Sequence, residues 1–370
     1  MKKKWLGSIA IVLVLALATV GVTFGDEAKL ETKSLSLAQA VEIALQDNNQ
    51  VGLAELGVER ANLDVEKAEL AKKKMINILA NPDRKDQNAA MVIDVVPTQA
   101  QGGKVIADIT KIYTDNNIRF GVEAAYFGVL LAEESEKLSE ASYTRAQEQL
   151  KQAQAKYNAG TVAKFDVISA EAQLKSAEAA VNEAKSTVEK ARMSLNKTLN
   201  LNLDTPLKLT DKLSYTKTDA IDVQAVFQEM TEENLPYVAA EETYKMNQVN
   251  WAHHQKYYTK NTFAYQEAEY NMKESEVNFN AAQADLMLNI KSAYLDLETA
   301  EDNYQVLTKS IEQAKEALRL TKLQYDVGMA TGYDVLNADT ALKGAELSLL
   351  NALYSYNLAK AKFTYGIFTS

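Results

Sequence analysis

The chain has 370 residues, 24% of them charged, a formal net charge of −10 and no cysteine. The missing cysteines exclude disulfides, thiolate metal sites and a cysteine nucleophile, and the negative charge argues against nucleic acid as a partner. Because only 14 glycines and 4 prolines are present, and these residues are the usual helix breakers, we expect a few long helices.

The N-terminus has the pattern of a secretory signal peptide. Lysines at positions 2–4 precede an apolar run at 9–22, and Gly25 allows cleavage before Asp26. The apolar run is short for a membrane-spanning helix, which needs about 20 such residues. We therefore predict a signal peptide at 1–25 and an exported protein. An uncleaved anchor is the alternative.

The sequence contains a tandem duplication. The stretch YNAGTVAKFDVISAEAQLKSAE at 157–178, called the first tip, matches YDVGMATGYDVLNADTALKGAE at 325–346, called the second tip, without a gap. The offset between them is 168 residues. Upstream, LAQAVEIALQDNN at 37–49 resembles VQAVFQEMTEEN at 223–234 with a larger offset. Two related units, too few for a solenoid, therefore follow each other along the chain.

The change in offset means that the first unit contains extra residues. We place them at 81–104, where two prolines and a pair of glycines interrupt the helical pattern. The resulting organisation is a first helical-hairpin repeat at 26–205, which includes this insertion, and a second helical-hairpin repeat at 206–370.

Apolar residues around each tip recur in alternating steps of three and four, which is the pattern of a coiled-coil seam. After the first tip the seam contains Ala170, Leu174, Ala177, Val181, Ala184, Val188, Ala191 and Leu195. We predict antiparallel hairpins with helices of about 50 residues before each tip and about 35 after it, spanning up to about 75 Å. Such narrow seams cannot enclose a thick core, so we expect other copies of the chain to complete the structure.

Each tip contains the signals for ending one helix and starting another. Gly160 and Gly328 can supply the left-handed residue that ends the first helix. Asp166 and Asp334 then stand where the second helix needs an N-cap. The sequence therefore predicts two tight helical turns, one for each hairpin.

The signal peptide, the entry LSLAQAVEIAL at 35–45, the duplicated hairpin and the paired tips together resemble the TolC-like outer-membrane efflux family. The resemblance covers most of the mature chain. It implies a mainly α fold in which long coiled-coil hairpins form part of an α-barrel. It also implies a homotrimer in the outer membrane or periplasm, whose tips meet a periplasmic adaptor and an inner-membrane pump in efflux or type I secretion.

The resemblance assigns roles to residues of the tips. Asp334 matches the acidic ring that narrows the family's entrance, and Asn337 stands where the family often has a second acid. Tyr325 and Asp166 match a tyrosine and an aspartate that bond between helices in the closed form, here called the predicted latch. The arginine that assists this latch is matched by Ala330.

A structural interpretation of the same residues remains open. Capping alone explains Asp166 and Asp334, and Tyr157 and Tyr325 can simply fill the last layer of each seam. Asp339 follows the entrance residues but points elsewhere on the helix.

The strands that the family uses to cross the membrane are poorly represented. Residues 89–97 and 104–110 allow one short strand hairpin at best, and the second repeat offers no apolar strand between its helices. We therefore expect little or no β-strand and a reduced or missing β-barrel. Aromatic residues at 257–265 suit either a membrane surface or packing between protomers, so membrane contact at 81–104 and 257–265 remains open.

The sequence contains no constellation typical of an enzyme or a cofactor site. His253 and His254 are adjacent, so on a helix they point about 100° apart and do not grip one metal together. We predict a passive channel or duct subunit that needs no cofactor and no metal. The alternative is a structural coiled-coil spacer of the cell envelope without a lumen.

Overall fold

The structure is a computed structural model that describes residues 32–46, 48–80 and 87–368. The predicted signal peptide at 1–25 lies outside the described residues, as does part of the predicted insertion. The elements are β1 (Lys33–Leu35), α1 (Leu37–Gln46), α2 (Asn49–Leu79), α3 (Gln87–Asn158), α4 (Lys164–Thr198), β2 (Leu207–Leu209), α5 (Val223–Glu233), α6 (Leu235–Tyr257), α7 (Phe263–Asp326) and α8 (Gly332–Thr364).

The long helices form two hairpins that lie side by side. Helix α3 packs against α2 and α4, and α7 packs in the same way against α6 and α8. The first hairpin touches the second mainly through α3, which contacts both α6 and α8, and α4 also contacts α8. The same three-helix arrangement therefore occurs twice in the chain, as the duplication predicts. The predicted fold class is confirmed: the described part of the chain is mainly helical, with only two short strands.

The helices before the tips are longer than predicted. Helix α3 has 72 residues and α7 has 64, because α3 continues through most of the predicted insertion, including Pro97. The prediction that 89–97 and 104–110 allow one short strand hairpin is wrong, because both stretches are helical. The physical reason is their spacing: Val95 and Gly102 are buried, and a step of seven residues places them on one helical face.

The alanine seam is buried as the pattern predicts. On α4 the buried residues include Ala170, Ala177, Ala184 and Leu195, and on α8 they include Val335, Leu342 and Tyr356. Alanine at alternate layers allows the two helices of each hairpin to pack closely along their length.

The ends of the hairpins far from the tips are joined by a compact core. Strands β1 and β2 pair in parallel, Leu35 opposite Leu209, so the starts of the two repeats meet. The fully buried hydroxyl of Tyr126 on α3 lies 2.9 Å from the Leu35 carbonyl and 2.8 Å from a carboxylate oxygen of Asp211. These bonds satisfy polar groups that the core would otherwise leave unpaired, and they fix the strand pair to α3.

A second core lies between α5, α6 and α7. It includes Phe227, Tyr237, Leu286 and Ile290, all buried. Among the described residues, no helix combines the length and the apolar character that crossing a membrane requires.

Candidate functional site at the hairpin tips

Both tips turn through a glycine in the left-handed conformation. The φ angle is +73° at Gly160 and +78° at Gly328. The amide of Thr161 donates to the Lys156 carbonyl at 2.9 Å, and the amide of Met329 donates to the Gln324 carbonyl at 2.8 Å. These bonds satisfy carbonyls that the end of each helix leaves free. A side chain at either glycine would strain the backbone.

The aspartates of the tips lie one turn inside their helices. The predicted N-cap positions of Asp166 and Asp334 are wrong, because the N-cap residues are Ala163 and Thr331 and the aspartates occupy the third helical position. Each aspartate still bonds back to the helix start: Asp166 accepts from the Ala163 amide at 3.1 Å, and Asp334 accepts from the Thr331 amide at 2.8 Å. This geometry is one half of a capping box.

The second tip completes the capping box and the first tip does not. The Thr331 hydroxyl donates to Asp334 at 2.7 Å and accepts from the Asp334 amide at 3.3 Å. Ala163 has no hydroxyl and makes no such bonds. The Asp166 amide donates to the Ala163 carbonyl at 3.1 Å, as the Asp334 amide also does to the Thr331 carbonyl at 3.1 Å. The hydrogen bonds from the Thr331 hydroxyl and then from its amide hold the pKa of Asp334 below its ordinary value.

Tyr325 is buried between the two hairpins. Lys156 of α3 donates to the Tyr325 carbonyl at 2.9 Å, and its ammonium lies 3.6 Å from the centre of the tyrosine ring. The same ammonium lies 3.5 Å from a carboxylate oxygen of Asp326. A cation over an aromatic face is attracted by the ring's electrons, so Lys156 ties the first hairpin to the end of α7.

The residues of the predicted latch meet, but without the predicted bond. Tyr325 and Asp166 line one small cavity together with Gln149 and Gly332. Within the described part of the chain, the buried Tyr325 hydroxyl has no hydrogen-bond partner. Burial, followed by the negative charges of Asp166 and Asp326, raises the pKa of Tyr325. The latch of the closed form is therefore not formed here between these two side chains.

A different pair joins the hairpins near the tips. The Arg145 Nε on α3 donates to Oδ1 of Asp339 on α8 at 2.5 Å, and Asp339 is buried. Four residues farther along α3, the Gln149 amide donates to the Gly332 carbonyl at 3.1 Å. The sequence pattern missed this contact because 194 residues separate the charged partners. The only sequence signal for this contact was an acidic residue, Asp339, directly after the seam residue Ala338.

The predicted entrance residues face outward. Asp334 and Asn337 are both exposed in the single chain, so nothing on α8 or its neighbours covers them. Large apolar side chains are also exposed at the tips: Phe165, Ile168, Val327, Met329 and Tyr333. Phe165 and Tyr333 are equivalent positions of the duplication, since 168 residues separate them. Exposed apolar patches of this kind mark surfaces that other proteins cover.

The predicted aromatic cluster lies at the far end of α6. Phe263 is 89% exposed, whereas Tyr265 is buried against the ring of Trp251 at 4.6 Å between centres. The rings of His253 and His254 are buried beside Tyr257 and Tyr258. Burial, and to a smaller extent the neighbouring His254, lowers the pKa of His253. No group of three or more potential metal ligands occurs within the described residues.

Comparison with known proteins identifies a family. A family model described as outer membrane efflux protein matches residues 117–201 and 241–364, which is more than half of the chain. The outer membrane protein TolC of Salmonella enteritidis is 24% identical over 103 residues. That match spans 28% of this chain and 21% of the TolC chain.

Solved structures share the fold at low identity. The outer membrane protein VceC of Vibrio cholerae has a TM-score of 0.67 at 15% identity, covering 89% of this chain and 96% of its own. The CmeC outer membrane channel of Campylobacter jejuni has a TM-score of 0.66 at 16% identity, covering 89% of this chain and 85% of the CmeC chain. A membrane protein from Pseudomonas aeruginosa reaches 0.72 at 12% identity, covering 90% of each chain.

Proposed function

Since the chain belongs to the outer membrane efflux protein family, we propose that it is the exit-duct subunit of an efflux or type I secretion system. Three copies form a hollow helical tube in the outer membrane or periplasm after export by the signal peptide. An adaptor protein and an inner-membrane pump meet the tips. The family is one of efflux channels rather than enzymes, so transport through the tube is passive and the pump supplies its energy.

The observation that carries this proposal is the unequal burial of equivalent residues. Tyr325 is 5% exposed, whereas its counterpart Tyr157 is 43% exposed. Leu336 is half-buried, whereas its counterpart Ile168 is 53% exposed. The second hairpin is covered by the first hairpin of the same chain, and nothing among the described residues covers the first hairpin in the same way. A second copy supplies the missing cover.

The contact between the hairpins indicates how copies join. We call the contact of α3 with α8 the within-chain junction. Its counterpart, in which α7 of one copy meets α4 of the next, is the between-copy junction. Repeating both junctions in turn makes a ring in which each hairpin has two neighbours, since head-to-tail contacts form a ring when the rotation between copies closes. The count of three copies comes from the family.

The helices far from the tips support the same assembly. Helix α6 packs on α3 as well as on α7, whereas within the described part of the chain the equivalent helix α2 packs mainly on α3. Exposed apolar residues follow one side of α2 in near-heptad steps: Leu53, Leu56, Leu63 and Leu70. An apolar stripe on a long helix normally faces another helix, and here α7 of the neighbouring copy is the expected partner.

The exposed apolar tips suit an adaptor protein. Phe165 and Tyr333 recur at equivalent places, so a trimer presents six such aromatic positions around its mouth. A ring of similar sites can receive repeated helical ends of a partner. The acidic Asp334 lies beside Tyr333 and gives the mouth a negative rim, which attracts cationic groups.

A pair of substitutions on α4 tests the assembly. Ile168→Glu places a charge in the between-copy junction, so we expect monomers by native mass spectrometry. Phe165→Glu, three residues earlier and at the outer tip, should keep the trimer and weaken adaptor binding. Negative-stain images and conductance in a planar bilayer complete the test. A solid dimer without conductance would favour the envelope spacer instead.

A further inference from the structure

The two repeats differ in the core far from the tips. In the second repeat, three aromatic rings from α5, α6 and α7 pack against one another. The rings of Phe227 and Tyr237 lie 6.5 Å apart between centres, and those of Tyr237 and Phe279 lie 5.4 Å apart. These edge-to-face contacts fill the space between the three helices with apolar side chains.

The first repeat has Glu42, Val51 and Lys111 at the corresponding positions. Lys111 follows from the offset of 168 residues between the repeats, and Glu42 follows from the matching stretches at 37–49 and 223–234. Val51, like its counterpart, is the third residue after the N-cap of its helix. In place of the rings, a cavity of about 570 Å³ lies between α1, α2 and α3. This volume is typical of small-molecule sites.

The cavity contains two charged groups that the chain does not fully pair. Lys111 donates to Oδ2 of Asp115 at 2.8 Å, whereas Oδ1 of Asp115 is buried and has no hydrogen-bond partner among the described residues. Arg119 also lines the cavity, and its guanidinium makes no hydrogen bond or ion pair within the part of the chain that the structure describes. Since buried polar groups are normally paired, Asp115 can accept from a cationic group of a ligand and Arg119 can donate to an anionic one.

The spacing of these two groups and the opposite wall narrow the class of ligand. Asp115 and Arg119 are four residues apart on α3, so their Cβ atoms are about 5–6 Å apart on one face of the helix. A molecule whose ammonium and carboxylate lie close together can therefore meet both side chains. Val41, Leu45 and Val51 form an apolar wall of the same cavity.

We propose that this cavity binds an amino acid with a large apolar side chain in its zwitterionic form. The carboxylate pairs with Arg119, and the ammonium donates to Oδ1 of Asp115. The apolar side chain occupies the space that the three rings fill in the second repeat. Glu42 and Glu55, which also line the cavity, add negative charge that attracts the ammonium. The site lies within one chain, so it goes beyond the proposed duct and does not depend on its assembly.

Ligand analogues test each contact. L-phenylalanine is titrated into the full-length protein by isothermal titration calorimetry, and so are 3-phenylpropionate, 2-phenylethylamine and glycine. These three compounds lack the ammonium, the carboxylate and the apolar side chain, respectively. We expect L-phenylalanine to bind, and each analogue to bind about tenfold or more weakly, because each loses one contact. Absence of L-phenylalanine binding at millimolar concentration, or equal binding of all the compounds, overturns the proposal.

Filling the cavity tests where the ligand binds. Gly52 lines the cavity, and a Cβ atom added there meets no heavy atom within 4 Å, so Gly52→Phe puts a ring into the cavity without a backbone clash. It should weaken L-phenylalanine binding by about tenfold or more without lowering the melting temperature. Gly57→Phe, on the same helix but away from the cavity and equally free of clashes, is the matched control and should bind as the wild type does. Unchanged binding by Gly52→Phe, or equal losses in both variants, contradicts the proposal.

A charge variant tests the role of Arg119. Arg119→Gln removes the cation that pairs with the carboxylate, so L-phenylalanine should bind about tenfold more weakly. Binding of 2-phenylethylamine should not change, because this compound has no carboxylate. Equal losses for the two ligands would show that Arg119 does not hold the carboxylate, and the proposed zwitterion site would be wrong.

Discussion

The first and second tips share a 22-residue pattern, yet their side chains meet different surroundings. Tyr325 is buried against the first hairpin, whereas Tyr157 is exposed. Asp166 is half-buried near Gly332, whereas Asp334 is exposed. The difference arises from order along the chain, because only the second hairpin has a predecessor on which to pack. Duplication therefore determines the shape of each tip, and position in the chain determines its environment.

The two tips also differ in how their helices begin. Thr331 gives the second tip a complete capping box, and Ala163 leaves the first tip with half of one. Asp166 and Lys156 lie close to Tyr325, so contacts between the hairpins support both tips. The second tip thus has a complete capping box as well as these contacts, and the first tip has the contacts with half of the capping box.

The largest expected effect comes from overpacking the seams. Ala177 is buried on α4, whereas its counterpart Ala345 on α8 is half-buried. Ala177→Leu should lower the free energy of unfolding by about 1–3 kcal/mol, because extra methyl groups have no room. Ala345→Leu should lower the free energy of unfolding by less, and Ala179→Leu, at an exposed position, should leave it nearly unchanged. Urea unfolding of the three variants measures the difference, and equal costs at 177 and 345 would contradict the comparison.

Much of the fold was predictable because it depends on local, repeated signals. The seam alanines, the left-handed glycines and the matching tips each follow from a few neighbouring residues. The length of α3 was not predicted, since Pro97 and the glycine pair indicated a break. The structure shows instead that Val95 and Gly102 lie on one buried face, and packing on α6 overrides the local preference.

The candidate site was predictable only in part. The sequence placed Asp166 and Asp334 at the N-cap, whereas both lie one turn inside the helix. The first tip gave no warning of this, because its N-cap residue, Ala163, has no capping side chain. The contact of Arg145 with Asp339 depends on how two hairpins pack, which no local pattern encodes. The roles of Asp334 and Asn337 at an entrance remain a proposal, because they depend on other copies of the chain.

Exchanging the cap residues would test the comparison of the tips at a smaller scale. Thr331→Ala removes the hydroxyl that both donates to and accepts from Asp334, so it should cost about 1 kcal/mol of unfolding free energy. Ala163→Thr supplies the missing hydroxyl at the first tip and should stabilise it by a similar amount. Thermal unfolding of the two single variants and of the double variant provides the measurement. If both single changes destabilise the protein, the capping difference is not what separates the tips.

The smallest expected effect on stability, and the most direct test of an entrance role, comes from the two aspartates. In the proposed tube, three copies of Asp334 lie near the axis, while Asp166 lies inside the within-chain junction. Asp334→Asn keeps an acceptor for the Thr331 amide and removes the charge. It should weaken block by divalent cations in a planar bilayer, because fewer negative charges then face the pore. Asp166→Asn is the matched change and should leave cation block unaltered.

Acid titration separates an entrance role of Asp334 from its capping role. Its pKa is lowered by the Thr331 hydroxyl and amide, so the folded state binds the proton less readily than the unfolded state does. The stability that the carboxylate contributes is therefore present above the ordinary carboxyl pKa of about 4, and it is lost as the pH falls through the lower folded value. The small difference in melting temperature between wild type and Asp334→Asn should vanish in that range. Loss of cation block, in contrast, should follow the charge of the assembled ring, where mutual repulsion of three carboxylates favours protonation at a higher pH. If block and stability titrate together, Asp334 acts as a cap alone.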